Sequence, residues 1–128
     1  MLQGIRPRVL LVEDEHDLVW CMMEGLSHHV DIQHTDSAVE AMRIIRESAQ
    51  LDVLVCDRQL IEGQTPNGVH VIRAFREKWP DRQVVYISGD APEGLPDDEQ
   101  ETVRGTSVLL KPFSLNELLL LLPVDVDR

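Results

Sequence analysis

Apolar residues fall into two alternating patterns along the chain. Short unbroken runs occur at Val9 to Val12, Val53 to Cys56, Val84 to Ile87 and Val108 to Leu110. Between them, apolar positions recur at three- and four-residue spacing. Unbroken runs bounded by polar residues read as strands buried on both faces, and the spaced positions read as amphipathic helices.

The first strand is expected over about residues 8–12, running straight into Glu13, Asp14 and Glu15. A helix follows, with Leu18, Val19, Met22, Met23 and Leu26 as its inward stripe. Val30 to His34 alternates and reads as a half-exposed second strand. Asp36 or Ser37 caps the next helix, whose apolar positions are Ala38, Val39, Ala41, Met42 and Ile45. The third strand ends at Asp57. Residues 58–68 form a loop broken by Gly63, Pro66, Asn67 and Gly68. Val69, Ile72, Ala74, Phe75 and Trp79 mark a third helix, stopped by Pro80. The fourth strand ends at Ser88, and residues 97–104 make a weak, acidic helix. The fifth strand ends at Lys111 and Pro112, and Ser114 caps the last helix with Glu117 at capping-box spacing.

Continuous apolar strands joined by helices require a parallel sheet covered on both faces, with right-handed crossovers. The expected architecture is a single doubly wound α/β domain of five strands. Sites in such sheets are built at the carboxyl ends of the strands. Four strands deliver polar groups there: the acidic pair Glu13 and Asp14, then Asp57, Ser88 and Lys111.

Composition narrows the options. A chain of 128 residues with a net charge of −11 offers no basic face for bulk nucleic-acid binding. Residues 1–5 have no apolar core of a signal peptide, and the longest apolar run, Leu118 to Leu122, is too short for a membrane span. Cys21 and Cys56 lack metal-ligand spacing and are expected as buried free thiols, which fits a reducing, cytoplasmic setting. The five histidines are expected at the surface or sheet edge without a metal role, and Trp20 and Trp79 as packing residues.

If the first and third strands are neighbours, Glu13, Asp14 and Asp57 converge. Their mutual repulsion calls for a divalent cation, and Mg²⁺ suits an oxygen-only donor set. A backbone carbonyl just after Asp57, that of Gln59, would add a ligand. Asp57 is then a candidate nucleophile toward phosphorus. Lys111 would neutralise charge on the transferring group, and Ser88 would donate a hydrogen bond to it.

These residues, in this order, resemble the receiver domain of two-component response regulators, over essentially the whole chain from Val9 to about Leu122. The resemblance implies a flavodoxin-like fold with strand order 2-1-3-4-5. It implies Asp57 as phosphoacceptor from a histidine kinase or phosphotransfer protein, Glu13 and Asp14 as the Mg²⁺ pair, Ser88 as switch hydroxyl and Lys111 as phosphate-pairing lysine. It implies a signalling switch that assists its own phosphoryl transfer rather than an enzyme. The alternative is a degenerate receiver, kept as a phosphorylation-independent interaction module.

Four departures from the family pattern stand out. Val108 occupies the position, three before the lysine, where an aromatic switch residue is usual. The loop after Asp57 is longer than usual before Gly68, with Ile61 where Pro is common. The fourth helix is acidic, and Glu13 replaces the commoner Asp. In the last helix, Leu115, Leu118, Leu119 and Leu122 point inward, which leaves Leu120 and Leu121 as an outer apolar face suited to a homodimer or a partner, or to cover by the tail, Pro123 to Arg128.

Overall fold

The five strands lie side by side in the order β2-β1-β3-β4-β5, all parallel. In this computed structural model, residues 6–58, 60 and 66–124 are described. The elements alternate along the chain: β1 (Arg8–Val12), α1 (His16–Leu26), β2 (Asp31–Thr35), α2 (Ala38–Glu47), β3 (Val53–Asp57), α3 (Gly68–Lys78), β4 (Gln83–Ser88), α4 (Asp97–Val103), β5 (Ser107–Leu110) and α5 (Leu115–Leu121). A 3₁₀ turn, Pro92–Gly94, precedes α4.

Successive strand residues point to opposite faces, so each central strand feeds two cores. Val9, Leu11, Val53, Val55, Val85 and Ile87 pack toward α1 and α5. Leu10, Val12, Leu54, Cys56, Val84 and Tyr86 pack toward α2, α3 and α4. β3 is buried at every position, as expected of a central strand covered on both sides.

Local signals start the helices where expected. Ser37 Oγ accepts from the Glu40 N–H, and Ser114 and Glu117 form the reciprocal capping box on α5. Asn67 caps α3, with His70 Nδ1 accepting the Asn67 N–H at 3.1 Å, a role its sequence position did not announce.

Five expectations are corrected. Val108 and Leu110, read as part of a strand buried on both faces, are 39% and 46% exposed, because β5 lies at the sheet edge and only Leu109 turns into the core. Cys21 is exposed, and Trp20 is 68% exposed, because both fall on the outer side of α1, while Met22 and Leu26 take the inner side. Val39 is 65% exposed, because Ala38, Ala41, Ile44 and Ile45 supply the inward stripe of α2. Leu121 is half-buried against the α1–α5 core, so Leu120 is the one exposed leucine of α5. Trp79 does pack, its ring centroid 5.2 Å from that of Phe75.

Candidate functional site at the carboxyl edge

Register brings the polar groups together. Val12 pairs with Cys56, so the next residues, Glu13 and Asp57, leave neighbouring strands side by side. β1 lies between β2 and β3, where the chain reverses its winding direction, the usual place for a crevice in such sheets. Ser88 pairs with Leu110, and the Lys111 N–H donates to the Ser88 carbonyl at 2.9 Å. The Lys111–Pro112 peptide is cis.

The side chains then converge. Glu13, Asp14 and Asp57 each offer a carboxylate oxygen, and these lie within 4.8 Å of one another. Lys111 Nζ stands 3.2 Å from Asp57 Oδ2, 3.3 Å from Glu13 Oε1 and 3.4 Å from Glu15 Oε1. Asp57, Glu13 and Ser88 are buried, and Asp14 is half-buried.

Glu13 is the most constrained member. Its Oε2 accepts the N–H of Asp14 at 3.1 Å and of Glu15 at 3.0 Å, while its carbonyl accepts from His34 Nε2 at 2.9 Å. Its Oε1 is buried without a hydrogen bond among the described residues, although Lys111 stands beside it. Burial, then the charge of Asp57, pushes the Glu13 carboxyl up to about 7. Burial and Asp57 also raise Asp14. Burial pulls the Lys111 ammonium down, but Asp57 and Glu13 outweigh it and hold the amine above its ordinary value. Cys56, between these carboxylates and the core, is raised well above a free thiol by burial and then by Asp57 and Glu13, so it is inert packing.

A cluster of crowded carboxylates, with one buried oxygen that accepts no hydrogen bond, fits a hard divalent cation, which takes oxygen ligands and retains waters. The chemistry on offer is a carboxylate nucleophile flanked by an ammonium and a hydroxyl. All five expected side chains, Glu13, Asp14, Asp57, Ser88 and Lys111, thus stand at one sheet edge. Gln59, expected to contribute a carbonyl, and Ile61 lie outside the described residues.

Several supporting residues carried no legible signal. Gly68 opens α3 directly against the end of β3, and a Cβ there would stand 1.8 Å from the Asp57 carbonyl oxygen. Arg58 reaches across to α4, its Nη2 3.2 Å from Glu99 Oε1, with both side chains largely shielded. The pairing joins residues 41 positions apart, which no local pattern encodes.

Comparison with known proteins agrees with this geometry. A family model described as the response regulator receiver domain matches residues 9–122. No curated protein matches the chain. A response regulator receiver protein from Sinorhizobium medicae WSM419 is 28% identical with a TM-score of 0.71, the match covering 89% of each chain. A CheY-like receiver domain protein from Methanospirillum hungatei JF-1 shares the fold at 16% identity and a TM-score of 0.73, over 90% of this chain and 89% of that one. A response regulator from Burkholderia pseudomallei, solved with a phosphorylated aspartic acid, calcium ion and citrate, shares the fold at 18% identity and a TM-score of 0.72, over 91% of this chain and 66% of that one.

Proposed function

The chain belongs to the response regulator receiver family, and on that premise we propose that it is a phosphorylation-driven signalling switch whose acceptor is Asp57. The observation that carries the reading is the contact of Lys111 Nζ with Asp57 Oδ2 at 3.2 Å, inside a pocket of three convergent carboxylates. The phosphorylated aspartic acid in the Burkholderia pseudomallei regulator adds analogy.

The donor is a phosphohistidine on a histidine kinase or phosphotransfer protein. An Asp57 carboxylate oxygen attacks phosphorus, the bond from phosphorus to the donor imidazole breaks, and its electron pair stays on that nitrogen. Lys111 already faces Asp57 and offsets negative charge on the transferring group. Ser88, at the end of the adjacent strand, donates its hydroxyl to a phosphoryl oxygen. Glu13, Asp14 and Asp57, with the carbonyl of Gln59, would hold Mg²⁺, which supplies charge neutralisation at the phosphoryl oxygens when bound. The product adds roughly −1.5 to −2 charge in a site already short of cations. That change draws Ser88 and Lys111 inward and biases the β4–α4 and β5–α5 surface.

Among the described residues no helix is long and apolar enough to cross a membrane. The reading takes the chain as one cytoplasmic receiver domain with no direct nucleic-acid contact. A homodimer through α5 would rest on Leu120, 72% exposed, since Leu121 turns inward. Sedimentation of wild type against Leu120→Glu tests it, and a monomeric wild type ends it.

Incubation with Mg²⁺ and acetyl phosphate, followed by intact mass measurement, tests the main reading. The expected result is a gain of one phosphoryl group, absent in Asp57→Asn and in chelator. An unmodified wild type would mark the fold as a phosphorylation-independent interaction module instead.

A further inference from the structure

Tyr86 lies two residues before Ser88 on β4, so both side chains leave the same face of the sheet. It is the largest fully buried side chain of the described core, packed in one cluster with Leu95 and with Val103 of α4. Across the sheet its partner is Val108 on β5, which is 39% exposed. The aromatic ring beneath α4 therefore comes from β4, and β5 contributes only a short aliphatic group.

The Tyr86 hydroxyl is buried and makes no hydrogen bond among the described residues. A buried hydroxyl without a partner costs folding free energy and needs a physical reason. Burial pushes the phenol up, while the Ser88 hydroxyl and the Arg58 guanidinium pull it part of the way back. Ser88 leaves the same strand face two residues further on, and no hydrogen bond joins the two hydroxyls at rest. Ser88 Oγ accepts one hydrogen bond, from the Asp90 N–H at 3.0 Å. A serine hydroxyl has one proton and two acceptor lone pairs. The proton and the second lone pair are left to pair when the site is loaded.

We propose that Tyr86 is a positioning residue for phosphoryl transfer, its hydroxyl donating to the second lone pair of Ser88 Oγ as the Ser88 proton turns to a phosphoryl oxygen on Asp57. The inference rests on the phosphoacceptor role proposed for Asp57. No proton changes owner: Tyr86 O–H points to Ser88 Oγ, and Ser88 O–H points to the phosphoryl oxygen. Donation into Oγ polarises the serine hydroxyl and strengthens the bond it gives. The same movement shifts the ring against Leu95 and Val103, which carries the event into α4.

The test measures the rate of phosphoryl uptake from acetyl phosphate with Mg²⁺, by intact mass over time. Four proteins are compared: wild type, Tyr86→Phe, Ser88→Ala and the double variant. Tyr86→Phe is expected to slow uptake about fivefold, the worth of one hydrogen bond of about 1 kcal/mol. Its thermal unfolding temperature is expected to stay at or above that of wild type, because the hydroxyl has no partner to lose at rest. In the Ser88→Ala background the same change is expected to have no further effect.

Wild-type uptake by Tyr86→Phe, or equal slowing with and without Ser88, would overturn the inference. So would a lowered unfolding temperature, which would show the hydroxyl already bonded at rest. If the wild type takes up phosphate and only the variants disagree, this inference fails alone. A wild type that takes up none overturns the reading of Asp57, and this inference with it.

Discussion

The Lys111 ammonium meets the Asp57 carboxylate at 3.2 Å, although the two residues are 54 positions apart in the chain. The contact depends on β3 and β5 flanking β4, so it exists only in the folded sheet. Lys111 also faces Glu13 and Glu15, so one ammonium meets three carboxylates. Lys111→Met keeps the aliphatic stem and removes the charge. Uptake from acetyl phosphate is expected to fall at least tenfold. Stability in chelator is expected to fall by about 1–3 kcal/mol, since the buried Glu13 and Asp57 carboxylates lose an adjacent ammonium. Urea unfolding with and without Mg²⁺ checks this, and an unchanged metal-free midpoint would contradict it.

Glu13 gives a pH signature. Its carboxyl is raised to about 7 in the folded chain, against 4.5 for an ordinary glutamate. Folding therefore favours the protonated form. The associated stability is fully present below about pH 4.5 and is lost as pH rises through about 7, a change of at most a few kcal/mol. In chelator, the wild type should lose stability relative to Glu13→Gln across that window. Denaturant unfolding at stepped pH measures the difference, and parallel curves would contradict the assignment. Added Mg²⁺ should rescue the wild type most at the alkaline end, where the Glu13 carboxylate is charged.

Gly68 sets how closely α3 approaches the site. In Gly68→Ala the new methyl would meet the Asp57 carbonyl oxygen at 1.8 Å and the Arg58 carbonyl oxygen at 2.6 Å. Both are backbone atoms of the segment that carries Asp57, so the acceptor itself must move. A loss of roughly 2–4 kcal/mol is expected, together with slower phosphoryl uptake. Urea unfolding and intact mass measure the two effects, and a neutral variant would contradict the packing.

The strands and most caps were legible in the chain because each rests on local chemistry. Unbroken apolar runs ending in Asp57 and Ser88 matched β3 and β4, and Ser114 with Glu117 announced the start of α5. The site residues were legible as strand-end polar groups once a parallel sheet was inferred. What escaped were contacts between elements. His34 supporting the Glu13 carbonyl, Arg58 reaching Glu99 and the fit of Gly68 against Asp57 depend on register and helix placement, which no sequence window contains. Helix faces were read from spacing alone, and spacing does not say how wide the buried stripe is. Val39 therefore fell outside it.

Arg58 and Glu99 tie the acceptor segment to α4, a helix of only 7 residues whose N-cap makes no side-chain bond. Glu99→Gln keeps shape and removes the charge. The variant is expected to lose about 1 kcal/mol or less in global stability. Backbone amides in residues 97–103 should exchange faster with deuterium, while those of α5 stay unchanged. Uniform exchange across both helices would contradict a local tether.

The central claim is that Asp57 accepts a phosphoryl group, and the most direct test locates the modification. Protein treated with acetyl phosphate and Mg²⁺ is reduced with borohydride, which converts an acyl phosphate to homoserine, then digested and mapped by peptide mass. The expected result is homoserine at Asp57 and at no other carboxylate. A label on Asp14 or Glu13, a phosphoester on Ser88, or an unlabelled Asp57 would contradict the account.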